Sequence, residues 1–200
     1  TAMKVEDFSR QPPTLILEDY FVGTTRAWGI FQDWRGNVTR QFVVDIDGKW
    51  DGKLLTLDEH FDFNDGEKSF RQWRIKRIGG GCYEGAADDV VGIATGKAAG
   101  NSLNWVYTLD LKTGKNRTLQ VKFDDWMFLQ PDGVLLNRAR MSRFGIKLGD
   151  VTISFAKIDA DKNAESMHSR PGDEANAKLG QLPETGRKAA MPHPNIPDAT

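Results

Sequence analysis

FVVDIDGKWDGKLLTLDEHFDFNDGEKSFRQWRI, residues 42–75, alternates apolar and polar side chains through three runs separated by two glycine-containing turns. Alternation with a period of two is the signature of a strand with one buried face. Asp51-Gly52 suits a two-residue type I′ turn, which pairs Trp50 with Lys53 and sets Ile46 opposite Leu57, Val44 opposite Glu59 and Phe42 opposite Phe61. Asn64-Asp65-Gly66 suits a three-residue turn, which sets Phe61 against Ser69, Glu59 against Arg71, Leu57 against Trp73 and Leu55 against Ile75. The two turns are placed independently and agree on one inward face: Phe42, Val44, Ile46, Leu55, Leu57, Glu59, Phe61, Trp73 and Ile75. A slip of one residue would turn every side chain outward, so the agreement is informative. On the other face Asp62 meets Lys68, while Asp45 opposite Asp58 counts against the first register.

The pattern continues. Leu103, Trp105, Tyr107 and Leu109 face one way and meet Phe123, Val121 and Leu119 across a turn at Lys112–Gly114. A turn at Pro131-Asp132-Gly133 sets Leu129 opposite Leu135 and Phe123 opposite Met141. Val151, Ile153 and Phe155 supply a closing strand. About nine or ten strands, each with one apolar face, predict an all-β closed antiparallel barrel, because closure removes exposed edges; a two-sheet β-sandwich is the alternative. Leu15–Phe21 predicts a short helical plug or an entry strand. Gly79–Gly100 is poor in large side chains and predicts a curved strand pair, a bulged seam or a mouth.

Every Trp, Phe and Tyr lies at or before Phe155, and five prolines fall between Pro171 and Pro197. A segment with so little apolar surface offsets little ordering entropy. The expected division is a barrel domain at 1–158 and a polar, Pro-containing, flexible tail at 159–200.

Composition limits the function classes. A net charge of −1 removes the simplest case for nucleic acid or an anionic membrane surface. Cys82 is the single cysteine, which excludes an internal disulfide and a cysteine-built metal cluster, and His60, His168 and His193 are widely separated. No metal and no cofactor is expected. No apolar run approaches the roughly 18 residues of a membrane span, and Thr1 does not open a signal peptide. The Gly79–Gly81 run lacks the strand–loop–helix setting and the Lys-Ser/Thr of a phosphate loop. Asp88-Asp89 has no histidine or third acid at useful spacing.

Glu59 carries the most information, since the hairpin register puts it inside with Arg71 directly opposite. Two readings follow: a buried ion pair that fixes register, or an Arg71 oriented by Glu59 to hold the acidic head of an apolar ligand. In the second, the ligand's tail lies along Phe42, Leu55, Trp73 and Tyr107, and Arg40 and Asn137, which share the inward parity, line a mouth or a polar interior cluster. Asp124 and Asp125 are adjacent in sequence but alternate in a strand. Asp124 is expected outside, opposite Arg140, with Trp126 opposite Arg138 as an ion pair and a cation–π contact. Asp125 is expected inside, opposite Ala139 and one diagonal step from Asn137, as a buried hydrogen-bonding residue.

The runs AWGIFQDWRGNVTRQFVVDIDGKWDGKLLTLDEHFDFNDGE (27–67), DDVVGIATGKAAGNSLNW (88–105) and DDWMFLQPDGVLLNRARMSRFGIKLG (124–149) occur in this order and resemble the DUF3833 family of bacterial proteins. The resemblance covers roughly Leu15–Phe155. It implies a lipocalin-like barrel and an envelope or periplasmic setting, with membrane association only through an upstream lipid-modified cysteine. Without a targeting segment the setting is cytoplasmic. Cys82 cannot be that cysteine, being deep in the domain. The expected function is non-enzymatic binding or carriage of a fatty acid, lipid or other apolar acid, with Arg71, Glu59, Arg40, Tyr107, Trp73, Phe42, Asp125 and Asn137 as site residues. The alternatives are an accessory envelope protein whose barrel is filled with side chains, and an enzyme acting on a lipid-like substrate through Glu59 or Asp125.

Overall fold

The alternating runs form ten antiparallel strands, each hydrogen-bonded to the next, and the last returns to the first. The computed structural model describes residues 2–113 and 117–158. The tip of the Lys112–Gly114 turn and the 159–200 tail lie outside them. The strands are β1 (Gly23–Asp33), β2 (Val38–Trp50), β3 (Leu54–Phe63), β4 (Lys68–Gly79), β5 (Cys82–Ala86), β6 (Ala94–Ala99), β7 (Ser102–Thr113), β8 (Arg117–Leu129), β9 (Leu135–Arg143) and β10 (Ile146–Lys157). Ala27 faces Phe155 and Phe31 faces Val151 across the β1–β10 seam, so the sheet is a closed, lipocalin-like barrel and not a sandwich.

Three of the predicted registers hold. Glu59 faces Arg71 and Leu57 faces Trp73 on β3–β4. Tyr107 faces Phe123 on β7–β8, and Asp125 faces Ala139 on β8–β9. The β2–β3 register is corrected by two residues: Trp50 pairs with Leu55, Ile46 with Glu59, Val44 with Phe61 and Phe42 with Phe63. The cause is local. A type I′ turn needs both central residues at positive φ, but only Gly52 has it (+94°). Asp51 uses its carboxylate instead, with Oδ1 accepting the backbone N–H groups of Lys53 and Leu54 at 2.8 Å each, which lengthens the loop. A shift of two preserves every face, so the inward set survives. It also separates Asp45 from Asp58; Asp45 now faces His60 and takes a two-pronged hydrogen bond from Arg26 on β1, at 2.7 and 2.9 Å.

A short helix, α1 (Leu17–Phe21), plugs one end of the barrel. Leu17, Tyr20 and Phe21 are buried, and the Tyr20 hydroxyl donates to the Phe155 carbonyl at 3.2 Å. The close approach depends on Gly48 of β2, where a Cβ would stand 1.7 Å from the Phe21 carbonyl oxygen. Leu55, Leu109, Val121 and Leu135 are among the most deeply buried core residues. Burial of such side chains contributes roughly 1.5–3 kcal/mol each.

β5 and β6 are much shorter than their neighbours. Glycine explains their place: Trp105 of β7 lies across Gly85 and Gly96, and a Cβ on either would come within 2.7 and 2.2 Å of its indole. β5 pairs β4 only from Arg74 onward, and β6 pairs β7 only up to Val106. The wall beyond them is closed by the connection between β5 and β6. Val90 bridges to Leu109, Val91 N–H donates to the Thr108 carbonyl, and Asp110 N–H donates to the Asp89 carbonyl. Gly79–Gly100 is thus a short strand pair, with a bulge at Arg77–Gly79, continued by a loop that completes the wall.

On the outer face, Asp124 and Arg140 are register partners, as are Trp126 and Arg138. The expected contacts are replaced. Asp124 accepts from the Asn104 amide at 2.7 Å, Trp126 stacks on Phe128 at 6.2 Å and meets Phe8 edge-on at 6.3 Å, and Arg138 points to Asp150 at 3.5 Å. Asp124 and Arg138 thus bond to diagonal neighbours on adjoining strands, while Trp126 packs against Phe128 of its own strand and against Phe8.

Candidate functional site

The barrel encloses a cavity of about 110 Å³, closed toward α1 by Leu17 and Phe21. Its apolar wall includes Phe31, Phe42, Phe61, Val151 and Phe155, and its aromatic side is Trp73, Trp105, Tyr107 and Phe123. Trp73 meets Trp105 and Tyr107 edge-on at 5.7 and 5.4 Å, and Tyr107 stacks on Phe123 at 5.2 Å with the rings nearly parallel at 6°. Inward residues of β4, β7 and β8 lie side by side on the cavity surface, so strand parity builds this cluster.

The polar side of the cavity is made by Glu59, Arg71, Asp125 and Asn137 with the Tyr107 hydroxyl. Arg71 is 6% exposed, and its guanidinium binds the carboxylate of Asp89 from the β5–β6 loop, Nη2 to Oδ2 at 2.6 Å and Nε to both oxygens at 3.1 Å. The predicted register partner is therefore not the bonding partner. Glu59 has no hydrogen bond or ion pair among the described residues, and it retains accessible surface inside the barrel, where it faces the cavity.

Asp125 is 5% exposed; its Oδ2 accepts from the Tyr107 hydroxyl and from Asn137 Nδ2, both at 3.3 Å. Asp125 Oδ1 and Asn137 Oδ1 are buried without a donor. Burial pushes the Glu59 carboxyl up to about 7, with Arg71 drawing it down and Asp89 and Asp125 pushing it further up. Burial likewise raises Asp125 to about 7 against the hydrogen bonds of Asn137 and Tyr107, which favour its ionised form. The Tyr107 hydroxyl is raised well above its ordinary value by burial and by Asp125. Both carboxyls are thus raised from the ordinary carboxylate range toward neutrality, chiefly by burial.

The sequence residues divide into two groups. Phe42, Glu59, Arg71, Trp73, Tyr107, Asp125 and Asn137 meet on one cavity. Arg40 does not line it: its guanidinium lies 3.7 Å over Phe63 and binds Asp65 and Glu67 at 2.7 Å each, at the β3–β4 turn. Sequence reasoning missed Asp89, which a loop delivers; the signal was an acid pair beside a glycine-rich break in the strand pattern. It also missed Glu18, buried on α1, which accepts from Tyr83 Oη at 3.0 Å and from Arg77 at 3.1 Å. Among the described residues no group of three His, Cys, Asp or Glu side chains is placed to hold a metal ion, and no helix is long and apolar enough to cross a membrane.

The profile of the family described as "Protein of unknown function (DUF3833)" matches residues 1–157, the whole barrel with its plug. The chain belongs to the DUF3833 family. No curated protein matches it. For this DUF3833 barrel the interior is thus the place to look for chemistry, since it joins an apolar cavity to a small set of convergent polar groups.

Proposed function

We propose that the protein is a binding or carrier protein that holds a small apolar molecule with one polar end inside its barrel. One observation carries the reading: Glu59 and Tyr107 keep accessible surface although they point into the barrel, and that surface faces the aromatic cavity. A core packed only for stability leaves few such voids and pairs its buried polar groups. The fatty acid, lipid or other apolar acid expected from the sequence is restricted in two ways. The cavity of about 110 Å³ is smaller than the roughly 300–1,000 Å³ of drug-sized sites, so a short chain fits without displacing α1. An acid held by Arg71 would also compete with Asp89.

Native mass spectrometry of the purified protein, followed by denaturing extraction, tests the reading. The expected result is a stoichiometric small molecule that leaves on denaturation, or uptake of a short apolar compound by the stripped protein. Absence of both would favour the accessory role with a filled barrel. An enzymatic reading draws on the Glu59 and Asp125 carboxyls, both near 7 and suited to acid–base work. Turnover of a bound compound, abolished in Glu59→Gln or Asp125→Asn, would establish it.

A further inference from the structure

At the end of the barrel away from α1, two neighbouring hairpin turns display large apolar side chains to solvent. β1 and β10 are paired as far as Asp33 and Gly149, so the β1–β2 turn and the β9–β10 turn stand next to each other. Trp34 in the first is 58% exposed and Phe144 in the second 88%, and Val38 and Ile146 beside them are exposed as well. Turn positions of this kind ordinarily hold Gly, Asn, Asp or Ser. Phe144 instead stands in the left-handed region at φ +49°, a conformation that is costly for a bulky residue. It gains no burial in exchange, so the fold itself would be served better by Asn. The Trp34 turn is built, not frayed: Asp33 Oδ1 accepts the backbone N–H groups of Arg35 and Asn37 at 2.9 Å each, and Oδ2 accepts from Asn37 Nδ2 at 3.0 Å.

Each exposed ring carries an arginine. The guanidinium carbon of Arg35 lies 4.6 Å from the centre of the Trp34 ring, and that of Arg143 lies 4.7 Å from the centre of the Phe144 ring. Among the described residues neither guanidinium has a carboxylate partner. The acids of this end are engaged: Asp33 by its own turn, Asp65 and Glu67 by Arg40, and Asp150 by Lys147 and Arg138. The chain's net charge of −1 therefore conceals two cationic tips. A ring beside an arginine matches the headgroup layer of a bilayer, where the ring reaches the acyl boundary and the guanidinium meets phosphate oxygens. Projecting tips suit a soft surface that they can enter, whereas a rigid protein face would need matching holes.

We propose that the protein docks on a phospholipid bilayer by this end, with Trp34 and Phe144 entering the interface and Arg35 and Arg143 meeting lipid phosphate. The docking stands on surface geometry and charge and does not depend on what the cavity holds.

Flotation of the full chain with vesicles tests it, using phosphatidylcholine alone and phosphatidylcholine mixed with phosphatidylglycerol in equal parts. The expected result is binding to both, tighter to the mixed vesicles. Trp34→Ser and Phe144→Asn should each weaken binding about tenfold, the scale of returning one aromatic side chain to water. Arg35→Gln and Arg143→Gln should each weaken it about fivefold on the mixed vesicles and less on phosphatidylcholine. Asn tolerates the left-handed backbone, so Phe144→Asn should unfold at the same or a higher temperature while losing vesicle binding, which separates docking from folding. A chain that floats with neither vesicle, or that floats equally well without Trp34 and Phe144, overturns the proposal. Arginine variants that bind as tightly as the unsubstituted chain overturn the phosphate contact. Self-association abolished by Trp34→Ser and Phe144→Asn, with no vesicle binding, overturns the bilayer in favour of a second copy of the chain.

Discussion

Arg71 and Asp89 are joined at 2.6 Å inside the barrel wall, and this pairing leaves Glu59, the residue facing Arg71 across the β3–β4 ladder, without a hydrogen bond. The ion pair ties a loop to a strand. It also sets the charge state of the cavity, because the cation nearest Glu59 is already neutralised.

Removing Asp89 separates the two roles. In Asp89→Asn, Arg71 loses its anionic partner while buried, and breaking such a pair costs about 3 kcal/mol, the low end for buried pairs because Glu59 stands ready to replace it. The Glu59 carboxyl, free of Asp89 and closer to an unneutralised guanidinium, should fall below its value of about 7. Urea denaturation measures the first effect and a carboxyl-carbon NMR titration the second. An unchanged Glu59 titration would mean that the two acids do not sense each other through Arg71.

The two raised carboxyls predict an unusual dependence of stability on pH. Glu59 and Asp125 hold protons in the folded chain up to about 7, whereas unfolded carboxyls release them near 4. Between those values the folded state binds more protons, so their contribution is full below about 4 and lost as the pH rises to about 7, on the order of 3 kcal/mol per group. Asp45, lowered by its hydrogen bond from Arg26, acts in the opposite sense and loses its contribution as the pH falls through its lowered value. Thermal unfolding should therefore give a higher midpoint at about pH 5 than at about pH 8, and Glu59→Gln should raise the midpoint at the higher pH only. A midpoint that climbs steadily toward alkaline pH would contradict the burial of these groups.

Gly96 tests the packing of the short strands. A methyl there would stand 2.2 Å from the Trp105 ring, so Gly96→Ala should destabilise by about 1–3 kcal/mol. Trp105→Leu in the same chain should recover part of that loss, and the coupling in a double-mutant cycle measures the contact directly. Additive losses would show that the indole moves aside freely.

The strand pattern and the inward face were legible because period-two alternation and turn chemistry are local. The β2–β3 register was off by two residues because Asp51 spends its carboxylate on the backbone, a choice that composition does not reveal, yet parity protected every facing. Seven of the eight candidate residues meet on the cavity for the same reason: parity alone puts them inside. Arg40 obeys parity as well, but its height along the barrel carries it to the β3–β4 turn. Asp89 was illegible because a loop has no parity, and its reach to Arg71 follows from how early β5 and β6 end.

That early ending makes the barrel mechanically uneven. Around most of its girth, parting two strands means breaking a ladder of backbone hydrogen bonds. Between β4 and the far half of β7, the Ala87–Ile93 segment is fastened to the wall by two backbone hydrogen bonds to β7 and by the Arg71–Asp89 clasp. The residue that neutralises the cavity's cation is thus also a hinge pin of its thinnest panel, and a molecule leaving the interior on that side would have to undo the very contact that fixed the charge of the room it occupied.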